Sequence, residues 1–451
     1  MHFNANAANA QPKGCCFSQL LAGVELRHVA AVNRRAGWAK QQPDLTSSVG
    51  VSKYRMMLVR EAAPACCFAL LLFHCGGDQT DVADPVTELS LVTFNAALGV
   101  GLAPYPEQRL AAIQRDLASV GADVICLQEV WQPENIEQLT EALAREFPYA
   151  HRSVQAVGGS AGGTACTAAE ASLLSTCIAE SCAEVEGNAL PLCAIANCAP
   201  AFTEVSTSCQ QCIAANQAAT DVQNLTTICS ASDGAAAAYR DQTGLLILSR
   251  LPLEELDYVA FESSLGDRGA LSARLQTDFS GSVDIYCTHL AASLREVPYT
   301  GAYGSWQGER LRQIDQFLEH VSATRAPSGA AALLGDMNCG PGTPLASAAS
   351  PDAFERFVTA DFSDPYVEGD GRCTFCSNNP LNGLVSDAEE GALIDHVLVS
   401  GFVDTVSSSA ARIFDDTIDI QAEGSAVQTA RSDHYGVRVA ISGVLSGSMG
   451  P

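Results

Sequence analysis

The sequence predicts an α/β protein, because short apolar strands alternate with amphipathic helices along most of the chain. Thr87–Asn95 and Asp123–Glu129 have the composition of strands that end in polar residues, and each is followed by a helical pattern of apolar residues. A strand–helix–strand–helix order is typical of layered α/β folds. The chain has 451 residues, of which 47% are hydrophobic, so it is long enough for a large core and an insert.

The remaining elements follow from the spacing of apolar residues and from helix-start signals. A helix is predicted over Gln108–Val120, where apolar residues recur on one face, and a second begins at Pro133, since proline fits the first helical turn. A third helix is predicted over Glu309–Val321. Further strands are predicted over Gly244–Leu248, Leu271–Thr277, Val283–Thr288, Ala331–Leu334, Ile394–Val399 and Tyr435–Ile441.

The N-terminal part of the chain has the features of a leader and an export signal. Residues 1–55 are rich in basic residues and lack periodicity, which predicts a disordered leader or a start assigned too early. Residues 56–75 combine Arg60 with the apolar run Ala65–Phe73, which is too short for a membrane helix. Cys75 resembles a lipoprotein processing site, although His74 replaces the small residue preferred there. We therefore expect an exported protein, secreted or held as a surface lipoprotein; a buried apolar strand is the alternative.

A cysteine-rich segment, residues 156–238, interrupts the α/β pattern and divides the predicted main domain into 86–155 and 239–445. The cysteine spacing repeats, and it predicts helical units joined by four disulfides in an oxidising compartment. Two cysteines 11 positions apart on one helix are about 16 Å apart, beyond disulfide reach, so bonds are expected between units. A metal site is the alternative, since Cys209 and Cys212 have compact ligand spacing. The cysteines are Cys166, Cys177, Cys182, Cys193, Cys198, Cys209, Cys212 and Cys229.

Polar side chains with metal-binding or proton-transfer chemistry stand at the ends of the predicted strands. Strand ends gather at one edge of a layered α/β protein, and sites form there. Carboxylate and amide oxygens suit Mg²⁺, and a histidine beside a carboxylate suits a general base. His396, inside its strand, is expected to face away from Asp395. The candidates are Asn95, Glu129, His289, Asp336, Asn338, Asp395, Asp433 and His434.

An ordered series of motifs gives this pattern a family resemblance. The motifs are "TFN", "LQEVW", "TGLLILSRLPL", "THL", "GDMN", "IDHVLVS" and "SDHYGV". Together they resemble the endonuclease/exonuclease/phosphatase superfamily, which includes DNase I-like nucleases, inositol-polyphosphate 5-phosphatases and neutral sphingomyelinases. The resemblance implies a four-layer α/β sandwich with two packed mixed β-sheets, here interrupted by the cysteine-rich insert, which is expected to be helical. It also implies a metal-dependent phosphoester hydrolase.

The metal ligands are assigned by the same resemblance. Glu129 is similar to the family's principal Mg²⁺ ligand, and Asn95 and Asp433 are expected nearby. A hard divalent cation suits phosphodiester cleavage, because it neutralises charge on the non-bridging oxygens.

The catalytic roles also follow from the resemblance. His434 is expected to be the general base that activates water, oriented by Asp395. His289 resembles the histidine that contacts the scissile phosphate. Asp336 and Asn338 resemble the pair that positions the nucleophile and stabilises the pentavalent phosphorus.

The choice of substrate within the family is expected to favour phospholipid over nucleic acid. The net charge of −26 lacks the basic surplus that usually accompanies binding to a polyanion. "THLAA" resembles the sphingomyelinase motif, and Tyr299, Tyr303 and Trp306 could seat the protein at a membrane surface. The alternatives are that these aromatics pack under a loop and that the enzyme is a secreted nuclease. A non-catalytic surface protein that displays the insert is a third hypothesis.

A second cysteine motif, Cys373-x-x-Cys376, lies outside the insert. It encloses Thr374-Phe375, which resembles a Thr-Phe or Thr-Trp segment of the family. We expect a small disulfide loop here rather than a redox-active motif, because no thioredoxin-like pattern surrounds it.

Overall fold

The computed structural model describes residues 88–99, 103–153, 164–183, 185, 193–194, 197–215, 227, 229–231, 243–277, 281–294, 298–327, 329–382, 391–402, 407–422 and 424–442. The leader, the export signal and Cys75 lie outside the described residues. All described residues belong to one unit, Gln79–Pro451. Among them, no helix has both the length and the apolar composition needed to span a membrane.

Two mixed β-sheets form the centre of the fold. The six-stranded sheet has the order β12-β15-β1-β2-β4-β3, and the five-stranded sheet has the order β11-β8-β7-β6-β5. The short pairs β9–β10 and β13–β14 lie outside them. The strands are β1 Glu88–Asn95, β2 Val124–Gln128, β3 Tyr149–Arg152, β4 Leu246–Ser249, β5 Leu253–Phe261, β6 Arg268–Thr277, β7 Gly281–His289, β8 Ala330–Asp336, β9 Phe375–Cys376, β10 Gly391–Ala392, β11 Asp395–Ser400, β12 Ser407–Ile413, β13 Ile418–Ala422, β14 Ser425–Thr429 and β15 Gly436–Ser442.

Helices cover the outer face of each sheet, which gives the four-layer α/β sandwich that the resemblance implied. The helices α1 and α2 bury apolar residues such as Ile113 and Leu139 against the six-stranded sheet. The helices α6 and α7 do the same with Phe317 and Phe357 against the other sheet. The inner faces of both sheets share a third core. The helices are α1 Pro106–Leu117, α2 Pro133–Ala142, α3 Ala168–Ser181, α4 Ala199–Glu204, α5 Thr207–Ala215, α6 Trp306–Thr324, α7 Pro351–Thr359 and α8 Pro365–Glu368.

Strand register brings the polar strand ends together. The parallel pair β1–β2 places Asn95 opposite Gln128, so Glu129 follows directly at the sheet edge. In the other sheet, the parallel pair β7–β8 aligns His289 with Asp336, and the antiparallel pair β8–β11 aligns Asp336 with Asp395. One edge of the sandwich therefore collects side chains from both sheets.

The cysteine-rich insert contains helices and four disulfides, as expected, and Cys209 and Cys212 take part in two of these bonds. The 16-residue spacing defines three repeat units, each with two cysteines: Cys166 with Cys177, Cys182 with Cys193, and Cys198 with Cys209. Two bonds join the first unit to the third, namely Cys166–Cys209 and Cys177–Cys198. The expectation that every bond runs between units is wrong for Cys182–Cys193, whose Cα atoms are 6.0 Å apart although the residues are 11 positions apart. The reason is that α3 ends at Ser181, so this pair does not share one helix. The fourth bond is Cys212–Cys229.

We expect non-reduced peptide mapping by mass spectrometry to recover these four pairs from protein isolated in its oxidised state. The insert needs such cross-links because its core is small and consists largely of cysteine and alanine. Eight free thiols in protein taken from its natural compartment would contradict the oxidised insert.

An unexpected disulfide, Cys126–Cys287, joins the two sheets. Cys126 lies on β2 and Cys287 on β7, and both are fully buried. Their Cα atoms are 5.5 Å apart across a sequence separation of 161 residues. A cross-link over so long a loop removes much conformational freedom from the unfolded chain.

Replacing both residues, as Cys126→Ala with Cys287→Ala, is expected to lower the free energy of unfolding by about 2–5 kcal/mol. Urea denaturation followed by circular dichroism measures this loss. An unchanged midpoint would mean that the two sheets do not depend on this bond.

Candidate active site

The eight predicted site residues converge at the sheet edge described above. Asn95 is the link between the sheets, because its Nδ2 donates to Glu129 Oε1 and to Asp336 Oδ2, at 3.1 Å each. The ring Nε2 of His289 lies 3.4 Å from Asp336 Oδ2, and that of His434 lies 3.8 Å from the same oxygen. Asp336 is therefore the centre of the cluster.

His434 and Asp395 form a buried pair. His434 Nδ1 is 2.8 Å from Asp395 Oδ2, and the backbone N–H of His434 donates to Ser432 Oγ. Burial by itself lowers the pKa of His434, but the negative charges of Asp395, Asp336 and Asp433 outweigh it and raise the pKa well above its usual value. The carboxylate thus orients the ring and increases its basicity.

Glu129 directly follows β2 and has an unusual backbone conformation. Its φ of 58° is in the left-handed region, a conformation that costs about 1–2 kcal/mol for a non-glycine residue. Burial raises the pKa of Glu129, the nearby Asp433 raises it further, and His434 opposes the rise. Mutual repulsion between carboxylates is what a bound cation would relieve.

Asp336 and His289 are both shifted toward their neutral forms. Burial, followed by the charge of Asp395, raises the pKa of Asp336 to about 7. Burial, followed by the positive charges of Arg268 and His434, lowers the pKa of His289 well below its usual value. His289 Nδ1 and Asp395 Oδ1 are buried and have no hydrogen-bond partner among the described residues.

The donor set fits a hard divalent cation. Glu129, Asp336, Asp395 and Asp433 bring four carboxylates to one edge, and oxygen ligands are what Mg²⁺ prefers. Oxygens of Asp336 and Asp395 and a ring nitrogen of His434 also lie within 4.8 Å of one another. Asn95 faces the carboxylates with its N–H group, whereas its Oδ1 accepts from Ala97 N–H. A role for Asn95 as a metal ligand requires its oxygen to face the acids.

The remaining predicted residues lie at the rim of the cluster. Asn338 has a φ of 50°, its backbone N–H donates to Asp336 Oδ1, and its Nδ2 donates to the carbonyl of Leu290. Asp433 accepts a hydrogen bond from Ser432 Oγ at 3.2 Å. Both are partly exposed, so they can meet a ligand that enters from solvent.

Arg268 is a site residue that the sequence analysis missed. It begins β6, opposite the end of β7, and its guanidinium lies 5.7 Å from the ring centre of Trp131. Its Nε and Nη1 are buried and make no hydrogen bond among the described residues. Strand pairing was the missing information, because only the alignment of Gly269 with His289 brings this arginine to the site.

The aromatic segment after His289 packs within the protein. Tyr299 OH donates to the buried Glu309 and accepts from Tyr303 N–H, and the rings of Tyr299 and Trp306 are 5.1 Å apart. Tyr303 OH donates to Glu262. Contacts within the protein therefore engage all three aromatics, which favours the packing alternative over contact with a membrane. His396 likewise has a structural role, because its ring bonds to Asp364 and to the carbonyl of Cys339.

Comparison with known proteins is consistent with this geometry. The model of the Endonuclease/Exonuclease/phosphatase family matches residues 92–434. The chain belongs to this family. Among curated proteins no match to the chain is found.

Several solved structures are similar in fold. Sphingomyelinase C from Streptomyces griseocarneus has 17% identity and a TM-score of 0.48, over 79% of this chain and 99% of that one. A beta toxin mutant from Staphylococcus aureus with bound magnesium ions has 14% identity and a TM-score of 0.47, over 78% and 99%. TDP2 from C. elegans has 13% identity and a TM-score of 0.45, over 80% and 76%.

Proposed function

We propose that this protein is a Mg²⁺-dependent phosphodiesterase that acts on a phospholipid, with sphingomyelin as the first candidate. The observation that carries the proposal is the buried His434–Asp395 pair beside a cluster of carboxylates. A base next to a cation-binding cluster is what hydrolysis of an anionic diester requires.

Each group of site residues has a separate role in the proposed in-line hydrolysis. In its deprotonated form, His434 takes a proton from water, and Asp395 stabilises the imidazolium that forms. The neutral His289 and the cationic Arg268 are suited to donate hydrogen bonds to phosphate oxygens, and Asn338 with Asp336 positions the nucleophile. Glu129 and Asp433, joined by Asn95 with its amide oxygen turned toward the acids, would hold Mg²⁺, which supplies charge neutralisation when bound.

Charge and surface composition support a lipid substrate. The net charge of −26 opposes binding of a long polyanion, whereas a zwitterionic headgroup meets much less repulsion. Phe375 is 38% exposed, and its ring centre is 5.0 Å from that of His434. Leu345 is 52% exposed and lies two residues before Ser347. Ser347 pairs with Ala392, and Ala392 pairs with Phe375, so Leu345 and Phe375 belong to neighbouring segments. These residues replace the packed aromatics as candidates for contact with lipid.

Export fits the same proposal. The disulfides are typical of an oxidising compartment, and extracellular lipid is accessible there. We treat residues 86–155 and 239–445 as the hydrolase domain and 156–238 as its insert. The partner of the insert has yet to be identified.

A substrate panel tests the proposal directly. With Mg²⁺ present, the purified protein is expected to release phosphocholine from sphingomyelin vesicles and to cleave bis-p-nitrophenyl phosphate. Plasmid DNA, RNA and inositol phosphates serve as comparison substrates. Efficient degradation of plasmid DNA with sphingomyelin left intact would favour the nuclease alternative, and inactivity toward the whole panel would favour a non-catalytic surface protein.

A further inference from the structure

The short loop Cys373–Cys376 lies beside the His434–Asp395 pair and is closed by a disulfide. Both cysteines are fully buried. Only Thr374 and Phe375 lie between them. Thr374 contacts the backbone of Asp395, and Phe375 contacts the ring of His434. The loop is therefore placed to control how the two side chains meet.

Thr374 bonds to the backbone next to each member of the pair, at Asp395 and just after His434. Its Oγ1 accepts hydrogen bonds from the backbone N–H groups of Ile394 and Asp395, at 3.1 Å each. Its carbonyl accepts from Tyr435 N–H at 2.8 Å, and Tyr435 directly follows His434. One buried residue thus joins the start of β11 to the start of β15.

The residues after Thr374 extend this support to the segment that precedes His434. The carbonyl of Cys376 accepts from Asn382 Nδ2 at 2.7 Å, and Asn382 Nδ2 also donates to the carbonyl of Asp433 at 3.2 Å. Asn379 Nδ2 donates to the carbonyl of Ser432 at 2.9 Å. On the other side of the loop, Arg412 donates to the carbonyl of Cys373 and lies over the ring of Tyr435.

We propose that the segment Cys373–Asn382, with its disulfide-closed loop, positions His434 against Asp395 for catalysis. These are positioning residues, since they act through the pair. The inference rests on the proposed hydrolase function. Its physical basis is that a misplacement of a catalytic group by about 1 Å can cost about 100-fold in rate.

A matched pair of substitutions at Thr374 tests the proposal. Thr374→Val keeps the shape of the side chain but removes the oxygen that accepts from two buried N–H groups. It is expected to lower kcat on bis-p-nitrophenyl phosphate by about 10-fold or more, with KM changed less than about 3-fold, because the base and not the binding of substrate is disturbed. Thr374→Ser restores the oxygen and is expected to bring kcat back to within about 3-fold of the unaltered protein.

A spectroscopic measurement separates positioning from a loss of stability. The ring N–H of His434 that bonds to Asp395 is expected to give a downfield proton resonance that is retained in Thr374→Ser and lost or shifted in Thr374→Val. Replacing both cysteines, as Cys373→Ser with Cys376→Ser, is expected to lower kcat in the same way as Thr374→Val.

Ser249→Ala provides the structural control. Ser249 Oγ also makes two hydrogen bonds with backbone groups, both to Leu251, but it aligns with Val124 at the far end of β2 from the site. This variant is expected to lower the melting temperature and leave kcat unchanged. Equal kcat values for the unaltered protein, Thr374→Val and the cysteine variant would overturn the positioning role. Inactivity of the unaltered protein would instead contradict the proposed function.

Discussion

The variant His434→Ala is expected to lose at least about 100-fold in kcat, the usual scale for removal of a general acid or base. The buried ring bonds to Asp395 through one nitrogen and faces Asp336 with the other, so the alanine variant loses the oriented ring nitrogen that would take the proton from water. Steady-state kinetics on bis-p-nitrophenyl phosphate measures the loss.

His151→Ala is the matched control. His151 lies on the edge strand β3, where its ring bonds to the carbonyl of Asp257, and its loss is expected to leave kcat unchanged. Melting temperatures verify that both variants are folded. A mild effect at His434 would mean that another group is the base.

Removal of metal is expected to abolish turnover. The edge of the sandwich carries four carboxylates; burial raises the pKa values of Glu129 and Asp336, and the charges of neighbouring carboxylates raise them further. EDTA should therefore stop hydrolysis, and added Mg²⁺ should restore it. Mg²⁺ should also raise the melting temperature, because it binds the folded state.

Glu129→Gln tests the location of this cation. The amide keeps the size of the side chain but removes its charge, so the Mg²⁺ concentration needed for half-maximal activity should rise. Glu141→Gln, on the exposed face of α2, should change neither this Mg²⁺ concentration nor the rise in melting temperature on addition of Mg²⁺. Full activity in EDTA would contradict the metal role altogether.

Much of the fold was predictable because the apolar periodicity is strong. The predicted strand Thr87–Asn95 is observed as Glu88–Asn95, and the predicted helix Glu309–Val321 is observed as Trp306–Thr324. The hairpin β13–β14 was missed, since its alternation is short and partly polar. The eight candidate residues were also found in advance, and the structure gathers them; their chemical roles stay predictions.

What the sequence could not supply is the register between distant strands. Arg268 carries no motif, and only its alignment near His289 brings it to the site. Cys126 and Cys287 are ordinary buried strand residues when considered one by one. They become partners because the inner faces of two sheets meet, which is a property of packing and not of local pattern.

The disulfide Cys126–Cys287 determines what becomes of the protein when its cysteine-rich insert is cleaved. The insert lies wholly between these two positions, in the connection from β3 to β4. A protease that cleaves the insert once would therefore produce two fragments that remain covalently joined. The six-stranded sheet also takes strands from both fragments, so the cleaved molecule would keep its site edge together. Proteolytic maturation of the insert is thus compatible with an intact hydrolase.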